Sequence, residues 1–138
     1  MAIVRKDFYV DSKDIKLLAD ALGRIPKHMP NLLEKAIYEE ANVIFKESQK
    51  LVPVDTGALY SSGVVHPPMK EGNRTFVRVT YGGSAAHYAL YVHENLYARH
   101  DAPTQAKYLE TPLYRQVPVL IKNLATRINH MIRTQLPR

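Results

Sequence analysis

Asp55 is the residue whose neighbours best equip it for chemistry, standing in the run Pro53-Val54-Asp55-Thr56-Gly57-Ala58. An aspartate in such a turn can serve as half of a carboxylate pair. Where two carboxylates are brought close they share a proton, because close like charges cannot both ionise, and such a pair can activate water. Gly57 would let the loop turn tightly. A plainer reading has Asp55 capping a nearby backbone N–H while Gly57 takes a conformation closed to other residues. The histidines are His28, His66, His87, His93, His100 and His130. The spacing of His87 and His93 does not put them on one helical face, and no carboxylate completes a familiar ligand set. His93-Glu94 and His100-Asp101 are adjacent pairs, and adjacent side chains diverge. Surface or hydrogen-bonded histidines are therefore expected, with no metal and no other cofactor. Dinucleotide-binding, phosphate-loop and nucleophile-elbow motifs do not occur in the chain. No active site is expected.

The elements that must position Asp55 are easier to read. Leu33, Ile37, Ala41, Ile44, Ser48 and Leu51 recur at steps of three and four, which makes one stripe of a helix, with Glu39, Lys46 and Gln49 opposite. Pro30 precedes Asn31, whose side chain can cap, and Glu34 completes a capping-box pattern, so the helix is expected over 31–51. Pro53 ends it by pushing the preceding residue out of helical geometry. Upstream, Ile15, Leu18, Ala19 and Leu22 predict a short helix that stops at Gly23. Val4 to Asp11 shows no clear period, and residues 1–13 read as an extended arm. Beyond the turn, Val77, Val79 and Tyr81 alternate with Phe76, Arg78 and Thr80 as in a half-buried strand. Ser62 to Val65 is its expected antiparallel partner, joined through Pro67-Pro68 and the turn Glu71-Gly72-Asn73. Gly82-Gly83-Ser84 breaks the strand, Ala85 to Glu94 reads as a short helix, and Leu96 to Gln105 as an exposed loop. Thr111 as cap and Pro112 at the first helical position open a terminal helix over 112–135. Its apolar face is Val117, Leu120, Ile121, Leu124, Ile128, Met131 and Ile132, with a kink at Pro118. The fold class is α+β: one domain, 1–138, in which the long amphipathic helix and the C-terminal helix pack on a small antiparallel β-sheet.

With 138 residues, 46% hydrophobic and 23% charged, the chain has the length and composition of one folded domain. No apolar run suits a membrane span or a secretory signal, so a soluble protein made in a cytoplasm, without a membrane partner, is expected. The absence of cysteine excludes disulfides, thiolate metal sites and cysteine nucleophiles. The net charge of +6 allows a polyanionic partner without requiring one. No acid follows Glu110, whereas Arg115, Lys122, Arg127, Arg133 and Arg138 do. On a helical wheel of about 100° per residue, Arg115, Lys122 and Arg133 fall within roughly 20° of one another, opposite the apolar stripe. That stripe could face DNA or an acidic partner, or could be a solvated face with cations near a helix end. Tyr81, Tyr88, Tyr91 and Tyr97 crowd around the Gly-Gly break, and they suit either a subunit interface or the edge of a core.

Two resemblances follow. Asp55-Thr56-Gly57-Ala58 resembles the loop of retroviral-type aspartic proteases, which would make the chain a dimeric protease. That likeness covers four residues, and the long helix running into them does not suit an almost wholly β enzyme. The order of motifs over residues 14–135 resembles the tail-component family of long-tailed bacteriophages, the small head-tail joining or tail-completion proteins of siphovirus-type necks. An amphipathic helix ending in Leu51-Val52-Pro53-Val54-Asp55-Thr56-Gly57-Ala58-Leu59 with Ser61-Ser62 resembles the family's first signature. His87-Tyr88-Ala89-Leu90-Tyr91-Val92-His93-Glu94 is similar to its second, with Asn95 in place of a glycine. Ala106-Lys107-Tyr108-Leu109-Glu110-Thr111-Pro112-Leu113 stands before the terminal helix, with Tyr108 in place of phenylalanine. The resemblance implies a structural virion protein without enzymatic activity, a ring of identical subunits in the neck, assembled in the host cytoplasm. Its partners would be itself, the head connector, the tail-tube or tail-terminator protein, and passing DNA. Pro53, Asp55, Thr56 and Gly57 would then be structural turn residues, the four tyrosines candidate contacts, and Arg115, Lys122 and Arg133 candidate DNA-channel residues. A basic nucleic-acid-binding module is the third reading.

Overall fold

Strand β4, Arg74–Gly82, is the axis of the molecule. Its alternation buries Thr75, Val77, Val79 and Tyr81 on the face toward the helices. The computed structural model describes residues 3–53, 57–83, 88–96 and 104–135. On one side of β4 lies β1, Ile3–Val10, antiparallel with Val4 opposite Tyr81 and Val10 opposite Thr75. On the other side lie β2, Val64–Val65, and β3, Met69–Glu71. Val65 faces Val79 and Met69 faces Phe76, so three residues, His66, Pro67 and Pro68, stand opposite two. One extra residue makes a bulge, and prolines with no N–H to give belong there. The expected hairpin is present, and its tight turn at Gly72-Asn73 joins β3 to β4.

Residues 3–10 are thus an integral strand and not an extended arm. Val4, Phe8 and Val10 are buried in the core. Lys6 hides the alternation, because it lies on the same face and meets Glu110 at 3.5 Å.

Helix α1, Ser12–Leu22, starts at Asp11, whose carboxylate accepts the Lys13 and Asp14 N–H groups while the Asp14 carboxylate accepts the Asp11 N–H. It ends at Gly23, as the sequence indicates, with φ of 74°. Helix α2 runs Met29–Leu51 and does not begin at Asn31. His28 precedes it with φ of 62° and no side-chain cap, Pro30 sits in its first turn, and Glu34 pairs with Lys70 at 3.5 Å instead of closing a capping box. Its stop before Pro53 holds, with Val52 extended. The stripe Leu33, Ile37, Ala41, Ile44 and Ser48 is buried.

Helix α3 is the single turn Ala58–Ser61, and α4 is Ala89–Glu94, shorter than expected since Tyr88 precedes it as a cap; residues 85–87 of the expected helix lie outside the described part. Helix α5, Glu110–Gln116, begins before Thr111, which is helical and not a cap, and Pro112 sits in its first turn. A 3-10 turn, Val117–Val119, then leads to α6, Leu120–Gln135. Pro118 therefore breaks the terminal segment where a missing N–H would do so. Val117 is exposed, contrary to its place on the expected apolar face, while Leu124, Ile128 and Met131 are buried. Helix α2 packs on β4, α6 packs on both α1 and α2, and α4 packs on β1 and β4. The opposite face of the sheet carries Arg5, Asp7 and Tyr9 beside Arg78 and Phe76. Burial works against the Asp7 charge, but Arg78, at 2.9 and 3.2 Å, and Arg5 hold its carboxyl below the ordinary range. The α+β expectation, with a long helix and a C-terminal helix on an antiparallel sheet, is met.

Candidate functional site

Residues 54–56 lie in sequence between the end of α2 and the sheet. Pro53 and Gly57 flank them, and Asp55 and Thr56 lie outside the described residues. Gly57 has φ of 85° and heads α3, so its position does demand a residue free to enter the left-handed region. Ser62 Oγ donates to Leu59 O at 2.6 Å and accepts the Gly82 N–H at 2.9 Å, tying this junction to the end of β4. At Gly63 a Cβ would lie 2.7 Å from the Phe45 ring and 2.8 Å from that of Tyr81. The junction presses the chain onto an aromatic column.

That column is where Tyr81 resides, and it corrects the expectation of a subunit contact: Tyr81 is fully buried. Its hydroxyl bonds Ser48 Oγ at 2.9 Å and accepts from Gln49 Nε2 at 3.0 Å, and burial pushes its pKa up. Its ring stacks on Phe45 and meets Tyr108 edge-on, with centroids 5.7 and 5.1 Å away. Tyr108, also fully buried, donates to Ala89 O at 2.8 Å, and burial raises its pKa as well. The His93 ring stands edge-on to Tyr108 at 4.8 Å. His93 Nε2 accepts the Glu110 N–H at 3.3 Å, so the proton sits on Nδ1 and is donated to Glu94 at 3.0 Å. Burial holds the imidazole pKa below its ordinary value.

Both ring nitrogens are therefore hydrogen-bonded within the chain. The side chains of His93 and Glu94 are expected to diverge, but they meet at 3.0 Å. Lys107 has φ of 57°, donates its N–H to His93 O at 2.6 Å, and places its ammonium on Glu94 and Glu110. Hydrogen bonds to Lys107 and then to His93 keep the Glu94 carboxyl below its usual pKa. The cluster closes α4 onto α5. Nothing local in the sequence announces it, since its members lie on α4, on 107–108 and at the start of α5.

The remaining tyrosines divide. Tyr88 is half-buried against the core, Tyr91 is 70% exposed on α4, and Tyr97 lies outside the described residues. Leu96, at the end of α4, is 68% exposed.

Arg115, Lys122 and Arg133 are all exposed, but they do not form one helical stripe. Arg115 is on α5 and the others are on α6; the 3-10 turn between them advances about 120° per residue and shifts the phase. Arg127 is not a free cation. Its Nε donates to Glu40 at 2.7 Å and its Nη1 to Glu39 at 3.1 Å, while Asn123 donates to the other Glu40 oxygen at 3.2 Å. Glu40 is only 3% exposed. Burial opposes the Arg127 charge, yet the two glutamates hold its pKa above the ordinary value. This clamp lines a groove of about 700 Å³ between α2 and α6, with Lys35 and His130 at its sides.

Among the described residues no group of three or more acids and histidines gathers as a metal site, and no helix is long and apolar enough to cross a membrane. Comparison with family models, with curated proteins and with solved structures returns no match for this chain.

Proposed function

We propose that this chain is a structural virion subunit that joins a phage head connector to the tail by assembling with copies of itself into a ring. Its partners in that role are the neighbouring subunit, the connector and the tail-tube or terminator protein. The observation that carries the reading is exposed apolar surface on two unlike elements. One patch is Tyr91 and Leu96 at α4. The other is the face of the sheet opposite Val77 and Val79, where Ile3, Tyr9, Val64 and Met69 stand exposed around the Arg5-Asp7-Arg78 ladder. A closed ring requires a head-to-tail contact between two different patches, whereas a two-fold dimer requires only one that matches itself. The hydrogen-bond saturation of His93 and the burial of Tyr81 and Tyr108 fit a scaffold better than an active site.

The test is a mixing experiment read by light scattering. Tyr91→Glu and Val64→Glu should each abolish self-association alone. Mixed in equal amounts, they should form heterodimers through the one contact left intact. Oligomers that survive both substitutions, or a mixture that stays monomeric, would contradict a head-to-tail ring.

A further inference from the structure

Helices α1 and α6 pack side by side, and between them they are nearly stripped of available negative charge. No acid occurs in α6. In α1, Asp14 is engaged in the capping box, which leaves Asp20. Against it stand Lys13, Lys16, Arg24, Lys122 and Arg133, all exposed. None of the five forms an ion pair among the described residues, because the acids of α2, α4 and α5 are paired elsewhere, with Arg127, Lys50, Lys70, Lys107 and Lys6.

Spacing makes these cations two ridges. Lys13 and Lys16 are three residues apart on one helical face, and Arg24 follows just beyond its end. Lys122 and Arg133 are three turns apart, about 16 Å at 1.5 Å per residue. The two helices are in contact, and packed helices have their axes about 8–10 Å apart. The hydroxyls beside the α6 cations are already engaged: Thr126, between them, donates to Lys122 O and Thr134, just beyond Arg133, to His130 O, both at 3.0 Å. The face therefore offers unpaired positive charge, and the guanidinium forks of Arg24 and Arg133 suit the paired oxygens of a phosphate.

We infer that the α1–α6 face docks the phosphate backbone of duplex DNA without regard to sequence. Charge complementarity favours this occupant, since a duplex presents dense, regular negative charge to the exposed cations of the two packed helices. The inference adds a partner to the ring reading and rests on it only for where the DNA would come from. A chain that bound DNA but never self-associated would sink the ring and leave this face standing.

The experiment measures binding of the full chain to a fluorescent 30-base-pair duplex across a salt series, with two unrelated sequences. About five phosphate contacts give a log–log salt slope of about −4.5, a loss of roughly 500-fold between 50 and 200 mM salt. The two sequences should bind alike. Lys122→Gln with Arg133→Gln should flatten the slope by about 2, and so should Lys16→Gln with Arg24→Gln. Lys70→Gln with Arg74→Gln, on the sheet side, should leave it unchanged. Circular dichroism checks that the exposed substitutions leave the fold intact. Absence of binding at 50 mM salt would overturn the inference, as would an equal effect of the sheet-side pair. So would an acidic protein as the occupant, for which Leu17 and Ile25, exposed on and after α1, would serve as apolar anchors. In that case Leu17→Ser with Ile25→Ser would weaken binding, and polyglutamate would compete as well as DNA at equal charge.

Discussion

Two seams hold the helices of this protein together, and they satisfy buried polar groups in opposite ways. Between α2 and α6 the buried Glu40 is met by charge, through Arg127 and Asn123. Between α4 and α5 the buried His93 is met while neutral, by Glu94 on one nitrogen and the Glu110 N–H on the other. A buried ion pair depends on both partners, because removing one strands the other's charge. A neutral hydrogen-bonded ring costs less to lose but is sensitive to a proton. The ionic seam should be the more fragile to mutation and the aromatic seam the more fragile to pH.

The largest expected effect strikes the ionic seam. Arg127→Met keeps the stem and leaves Glu40 buried without its cation, which should lower the unfolding free energy in urea by about 3 kcal/mol. Next, Gly63→Ala forces a methyl against Phe45 and Tyr81; overpacking of that kind should cost about 2 kcal/mol, read by the same titration. His93→Phe keeps the ring and removes both hydrogen bonds, leaving the Glu110 N–H without a partner, for about 1.5 kcal/mol. Tyr108→Phe removes only the bond to Ala89 O and should cost about 1 kcal/mol.

The pH effect is the smallest and has a definite sign. Because the His93 pKa is lower in the folded state than its value of about 6.5 in an unfolded chain, the unfolded chain binds the extra proton first. Stability should be complete above about pH 6.5, fall as pH drops toward the folded pKa, and then level off as far as this group is concerned. Thermal melts over that window should show the decline in the wild type and in Arg127→Met, and lose it in His93→Phe. A decline that survives the loss of His93 would break the contrast between the seams.

The contrast also separates what the sequence displays from what it conceals. Periodicity marked the α2 stripe from Leu33 to Ser48 and the alternation of Val77, Val79 and Tyr81, because in both a buried face repeats at the element's own period. Strand β1 is concealed in the sequence because Lys6 interrupts its inward face, and the group that accommodates that charge, Glu110, lies 104 residues away. The start of α2 was misplaced for a related reason: Asn31 and Glu34 have the capping pattern, but Glu34 is drawn to Lys70 on β3. The Glu40–Arg127 clamp and the His93–Tyr108 contact join distant segments, and no local spacing encodes either. The helical wheel places Arg115, Lys122 and Arg133 away from the apolar face, and all three are exposed, whereas the sequence leaves Tyr91 open between an interface and a core edge. The same holds for Tyr81, since a tyrosine beside a glycine break looks the same in a core as at an interface.

The central claim, a ring subunit that joins heads to tails, is tested most directly by electron microscopy of particles made with and without this gene. Its removal should leave filled heads and finished tails lying apart, reunited when the gene is supplied in trans. Joined, infectious particles in its absence would contradict the account.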